Sequence, residues 1–382
     1  MLCLLTQCKY PQDYSPVARL VSSKSYDADD LFGLLVRLSL SDDELPSLAT
    51  RHAISALSYQ HLRMEETAVM HQTCAIRALQ ASIENLDPSR AMQTMAASML
   101  LSIFETLNFE TSALSWSIFF CGTKRIASLV TQKNDIYFGD EALIMDWIFY
   151  NDTMYKFSIR HWRDKNEDQI ELAAQEKVIS KAVFSPERQI IVPILGCSLE
   201  LLDLVCQVID SVLDRGDPHY HSQVHLKTTR SLEIRLQDLE QRHSGVSDVD
   251  PEEVVRQTNI AELFRLATLT YLYRLARGEP RDSAAADGVI NRAFAVLGRL
   301  EYCERPWPLF IIALEARTEE QRTAVLAVLK GSLVRQPLGT TALANRMIHD
   351  AWIQQDLHEA EMDSLTLYGL IISRNRVPPC FT

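Results

Sequence analysis

Apolar residues recur along this chain with the period of a helix. Between Asp87 and Phe109, Met92, Met95, Ala96, Met99 and Ile103 fall at i, i+3, i+4, i+7 and i+11, the spacing of one helical face. The opposite face of the stretch is almost uncharged, which predicts a helix buried all round. Asp87-Pro88 opens it: aspartate accepts from the free N–H groups of the first turn, and proline at the first helical position loses nothing. Ile260, Leu263, Phe264, Ala267 and Tyr271 share the main face of a second long segment. It starts at Asp250-Pro251-Glu252-Glu253, with acids where the helix dipole favours them, and stops at Arg277-Gly278. Ser41-Asp42-Asp43-Glu44 and Thr318-Glu319-Glu320-Gln321 both have the spacing of a capping box.

The pattern predicts helices over 29–40, 43–61, 64–86, 88–108, 111–131, 140–162, 194–214, 222–242, 251–277, 284–300, 307–316, 319–335 and 339–356. No alternating strand of useful length interrupts them. Two polar stretches, Arg163 to Ile190 and Arg215 to Val224, read as loops within one body, because helices of the same character resume after each. The expectation is an all-α fold of about a dozen helices without a significant sheet. It comprises an N-terminal extension over 1–28 and a single domain over 29–382.

Composition sharpens this picture. Of 382 residues 47% are hydrophobic, enough for a large core, and only 12 glycines and 14 prolines are available for turns. The longest run free of Asp, Glu, Lys and Arg is Ala91 to Phe104, shorter than the roughly 20 residues a membrane span needs. The first residues, MLCLLTQCKYPQDY, lack the basic and apolar regions of a secretory signal. Eight scattered cysteines in a chain with so large a core read as reduced thiols. A net charge of −12 argues against this chain gripping a phosphate backbone by itself.

Several segments carry a family likeness. RHAISALSYQHLRMEETAVMHQTCAIRALQASIENL is followed by AASMLLSIFETLNFETSALSWSIFFCGTKRIASLV, PILGCSLELLDLVCQVIDSV, AELFRLATLTYLYRL and RPWPLFIIALEARTEEQRTAVLAVL. GTTALANRMIHDAWIQQDL, with Trp352 and Asp356, closes the series. In this order the blocks resemble the fungal-specific transcription factor domain, the helical regulatory region found downstream of binuclear zinc-cluster DNA-binding modules. The resemblance covers about residues 30–360. It implies a nuclear transcription regulator, with a secondary-metabolite gene cluster as one candidate target. The implied partners are the transcription machinery or co-regulator proteins, a small-molecule effector and a second copy of the chain. The family's DNA reader needs two C-x-x-C pairs and a basic segment. This sequence has no C-x-x-C, so the resemblance carries over the regulatory domain and not the zinc module.

No residue set demands a cofactor, a metal or a catalytic role. His219, His221 and His225 form the best metal candidate: a helix starting at Pro218 would put His221 and His225 one turn apart, but no third ligand is evident. A polar inter-helix loop explains them as well. His349 and Asp350 are adjacent and so point to different helix faces. G-x-S-x-G, P-loop and G-x-G-x-x-G motifs are all missing. Asp152, Lys156 and Arg160 line one helical face beside Tyr155, either as a solvated ion-pair ladder or as the polar side of a ligand pocket. Trp116, Trp307 and Trp352 read first as core anchors. The expected effector site is an apolar cavity between the helices near 140–162 and 251–277, with Asp152, Tyr155, Arg160 and Trp307 as its ligand-binding residues. Two alternatives stand beside the regulator: a cofactor-free cyclase or isomerase on the same fold, and a co-regulator that does not bind DNA.

Overall fold

The structure, a computed structural model, describes residues 26–107, 115–131, 139–162, 188–244, 250–335, 339–357 and 362–382. Among these residues it is all-α, with fourteen α-helices and one two-stranded hairpin. They form two compact units that meet in sequence between Phe149 and Tyr150. The expected extension over 1–28 and the polar stretch over 163–187 lie almost wholly outside the described residues.

The first unit holds α1 (Tyr26–Leu40), α2 (Leu45–His61), α3 (Glu65–Glu84), α4 (Ala91–Leu107), α5 (Ser115–Thr131) and the start of α6 (Gly139–His161). Alanines at helical spacing let α2 and α3 approach closely: Ala49, Ala53 and Ala56 are buried on one, Ala68, Ala75 and Ala78 on the other. As its pattern predicts, α4 is buried on nearly every side. Its small hydroxyls are satisfied by α5 carbonyls, Ser98 at 2.8 Å from Phe119 O and Ser102 at 3.1 Å from Trp116 O.

The second unit holds the rest of α6, β1 (Ile191–Val192), β2 (Cys197–Ser198), α7 (Leu199–Ser211), α8 (Gln223–Asp238), α9 (Pro251–Tyr271), α10 (Ala284–Leu297), α11 (Pro306–Ala313), α12 (Glu319–Arg335), α13 (Gly339–Leu357) and α14 (Ser364–Ser373). α9 is its axis and packs on α10 and α11. Phe157, Tyr271, Trp307, Phe310, Tyr368 and Phe381 form one aromatic core, in which Phe157 lies 5.1–6.3 Å from the other five rings.

Five local expectations need correction. The Ser41 capping box does not form: α2 starts at Leu45-Pro46, and Ser41 Oγ instead donates to Leu38 O at the end of α1. Proline's fixed φ and missing N–H suit the first turn, so Pro46 sets the start. Residues 194–198 are a hairpin, not a helix: Gly196 adopts φ +74°, and Ser198 caps α7 at Leu201 N. Residues 239–242 lie beyond the end of α8. The long helix ends in a π turn over Leu272–Ala276, closed by Arg277 N to Leu272 O at 3.0 Å. Finally, α14 was not anticipated: a ten-residue helix of β-branched and leucine positions with a central glycine gives no periodic signal. The caps at Asp87, Asp250 and Thr318 are present as predicted.

Candidate functional site

Within the second unit, a cleft of about 420 Å³ lies among the π turn, the loop after it, the end of α11, the end of α13 and the start of α14. That volume falls in the range of small-molecule sites, roughly 300–1,000 Å³. Its buried anchor is Arg274, an arginine inside the apolar run LATLTYLYRLARG. The Arg274 side chain is 0% exposed and its Nε donates to Glu315 Oε2 at 3.0 Å; the Glu315 side chain is 3% exposed. Its remaining N–H groups donate to the carbonyls of Pro280 and Arg281. One guanidinium therefore ties the π turn to its following loop and to the end of α11. π turns gather at functional sites because the wider turn re-aims a side chain that an α-helix would place elsewhere.

The loop closes on Gly278, which has φ +63°. A methyl group there would stand 2.3 Å from Tyr220 Oη, so only glycine lets Tyr220 close against the loop. Across the cleft, Gln355 Nε2 donates to Leu314 O at 2.7 Å, and Arg281 Nη2 donates to the same oxygen at 3.3 Å. At the start of α14, Asp363 accepts from Thr366 N at 3.1 Å and lies 3.9 Å from Arg215. Gln355 Oε1 and Tyr368 Oη are buried in the cleft wall without a hydrogen-bond partner among the described residues. Burial pushes the Tyr368 phenol well above its ordinary value, so it stays a donor.

The residues singled out by the family likeness surround this cleft as pins. Trp352 Nε1 donates to Ala313 O at 2.8 Å, joining α13 to α11. Asp356 holds Arg322 at 2.5 and 2.9 Å, and the Arg322 guanidinium lies 5.3 Å from the Trp352 ring. Trp116, Trp307 and Trp352 are all buried, as core anchors are.

The four expected ligand-binding residues lie elsewhere than this cleft. Arg160 Nε donates to Val212 O at 3.0 Å and its Nη2 approaches Asp214 at 3.4 Å. Lys156 pairs with Asp210 at 2.6 Å, so this face of α6 is tied to α7 and the chain after it and is not a ladder along α6. Asp152 is half-buried and near Cys206, and Tyr155 is buried. Trp307 sits in the aromatic core, stacked on Phe264 at 5.6 Å. The structure thus places Asp152 and Lys156 near Cys206, Arg160 on the chain after α7, and Trp307 in the aromatic core.

The histidine cluster also differs from expectation. Ser222 caps α8 and His221 has φ +57°, so the helix begins after it. His221 Nε2 bonds Arg277 O at 3.0 Å, tying the loop before α8 to the end of the π turn, and His225 Nε2 bonds Ser211 O at 2.9 Å, tying the first turn of α8 to the end of α7. Among the described residues no three His, Cys, Asp or Glu side chains gather to hold a metal, and the six described cysteines are free. The sequence reading missed Arg274, Arg281, Glu315 and Tyr368. A signal was present for two of them: an ion inside an apolar helical run, Arg274 after LTYLY and Glu315 after LFIIAL, has to find a buried partner.

The sequence profile of the fungal specific transcription factor domain matches residues 12–368, and the chain belongs to that family. It is a transcription regulator. It is 27% identical over 368 residues to the transcription factor iacI of Pestalotiopsis fici, an alignment that covers 93% of this chain and 90% of that protein. No solved structure matches it.

Proposed function

We propose that this chain regulates transcription in the nucleus through contacts with the transcription machinery or a co-regulator, and that a small-molecule effector seated in the Arg274 cleft governs those contacts. The observation that carries this reading is the cleft itself. It lies where one buried ion pair joins the π turn, its loop and α11, so an occupant bears on three elements at once. Effector control requires that the ligand favour one of two arrangements of such joined elements.

The test is a fusion of the whole chain to a heterologous zinc-cluster module, read on a reporter gene in a fungal host. The fusion is expected to change reporter output. Ser364→Trp, which places an indole in the cleft from the first residue of α14, is expected to fix that output at one level across growth conditions. Circular dichroism of the variant checks that the helices persist. A wild-type fusion that behaves as the zinc module alone would refute the regulatory reading.

A further inference from the structure

The three arginines and three carboxylates that line the cleft balance in number but do not pair one with another, because Glu279 turns to Arg277 outside the lining. Each of its carboxylates already has an arginine: Glu315 has Arg274 at 3.0 Å, Glu279 has Arg277 at 3.5 Å, and Asp363 has Arg215 at 3.9 Å. Arg281 is the lining cation left over. Among the described residues no carboxylate comes within 4.0 Å of it, and its guanidinium donates to Leu314 O. Arg281 is exposed as a residue, but partial desolvation of its guanidinium holds the group below arginine's ordinary value, and Arg317, Arg274 and Arg322 push the same way against Glu315. An anion in the cleft would relieve all of these costs together.

A hydroxyl on α14 calls for an acceptor as well. Asp363, Ser364 and Leu365 also line the cleft, and the Asp363 carboxylate itself takes Thr366 N in the first turn of that helix. Tyr368 follows Ser364 by one turn on the same helical side and also lines the cleft. It is 1% exposed, and its hydroxyl has no acceptor among the described residues. A buried hydroxyl without a partner is destabilising, and an acceptor that reaches it from the cleft removes that cost. The rest of the lining is aliphatic, with Leu213, Leu275, Met362 and Leu367 among it. A bare inorganic ion would leave that surface wet.

We infer that the cleft takes an organic acid with an apolar body, its carboxylate held by Arg281 and the Tyr368 hydroxyl. This rests on the reading of the cleft as an effector site and adds the ligand's class to it. Guanidinium and carboxylate match in shape and charge, and their hydrogen bonds are about twice as strong as neutral ones.

Three probes of one size test it on the full chain by calorimetry: 2-naphthoate, 2-naphthol and 2-naphthylmethylammonium. Wild-type protein is expected to bind naphthoate. Arg281→Gln is expected to weaken naphthoate by about tenfold or more, the loss of one charged hydrogen bond, and to leave naphthol unchanged. The substitution is safe for the fold, because the Arg281 carbonyl that receives Arg274 stays in place. Tyr368→Phe is expected to weaken naphthoate a few-fold, and Ser364→Trp to abolish binding of every probe. Naphthol or the ammonium binding more tightly than naphthoate, or Arg281→Gln without effect on naphthoate, overturns the acid and leaves the effector reading standing. If Ser364→Trp removes the binding of none of the three, the cleft takes no molecule of this size and both readings fall.

Discussion

The Arg274–Glu315 pair decides more of this molecule than its size suggests. Both side chains are essentially removed from water, and removing an ion from water costs several kcal/mol before its partner returns anything. The arginine also spends its N–H groups on the Pro280 and Arg281 carbonyls, so its charge is shared between a carboxylate and two backbone dipoles. Glu315→Gln leaves the buried guanidinium only the more exposed Asp287, 3.9 Å away, as counter-charge and is expected to cost about 3–5 kcal/mol of unfolding free energy. Arg274→Met combined with Glu315→Leu removes both charges and is expected to cost less than Glu315→Gln alone. It should still loosen the loop over 277–283, whose Pro280 carbonyl loses its donor while the Arg281 carbonyl keeps Arg317. Urea denaturation gives both values, and proteolysis of the loop separates stability from anchoring. A double variant less stable than Glu315→Gln would show that the pair binds more strongly than its desolvation costs.

At the scale of elements, the chain is most legible where a helix is long and its apolar residues keep a strict period. α4, α9 and α13 follow their patterns, and the caps at Asp250 and Thr318 stand where side-chain chemistry places them. Legibility fails where a tertiary partner overrides local preference. The ladder of Asp152, Lys156 and Arg160 is spaced for bonds along α6, yet Asp210 and Val212 O on and beyond α7 capture the two cations, which no local rule encodes. The cleft was illegible for the same reason: its residues come from segments around positions 213, 274, 314, 355 and 364. Aromatics alone do not mark a cavity either, since those gathered near Trp307 pack on one another. Asp146, in α6, is an ionisable group that the apolar pattern swallowed. Burial raises its carboxyl to about 7, and its Oδ1 has no hydrogen-bond partner among the described residues. The unfolded chain gives up this proton near pH 4 and the folded chain only near 7, so the folded state binds more protons between them and stability falls as pH rises. The slope reaches at most about 1.4 kcal/mol per pH unit for one group. Asp146→Asn is expected to match the wild type at the acid end of that window and to exceed it in stability above about pH 7, measured by urea denaturation across the range. An equal pH dependence in the two proteins would place the Asp146 charge in water.

For the whole molecule the governing quantity is charge. Thirty-eight basic residues against 50 acidic ones leave −12, and many of the arginines are committed inside the protein, Arg256, Arg265, Arg274 and Arg277 to carboxylates within 3.0 Å of their guanidinium groups. A cation so held contributes little to an outward field. Binding to duplex DNA draws its affinity from phosphates neutralised by free Lys and Arg, with log K falling by about 0.9 per neutralised phosphate for each decade of salt. A negative surface with its arginines engaged forgoes that term. Direct readout of bases is also unprovided for, because the chain has no C-x-x-C pair with which to hold the zinc-cluster reader of its family. The 382 residues on their own are therefore expected to give no sequence-specific shift of duplex DNA at physiological salt. The same residues joined to a zinc-cluster module should shift that module's site with the module's own salt slope. Electrophoretic titration over several salt concentrations measures both, and metal analysis of the chain alone should find no stoichiometric zinc. Sub-micromolar, sequence-specific binding by the unfused chain would mean that a basic surface outside the described residues reads DNA, and the division of labour between reader and regulatory body would have to be redrawn.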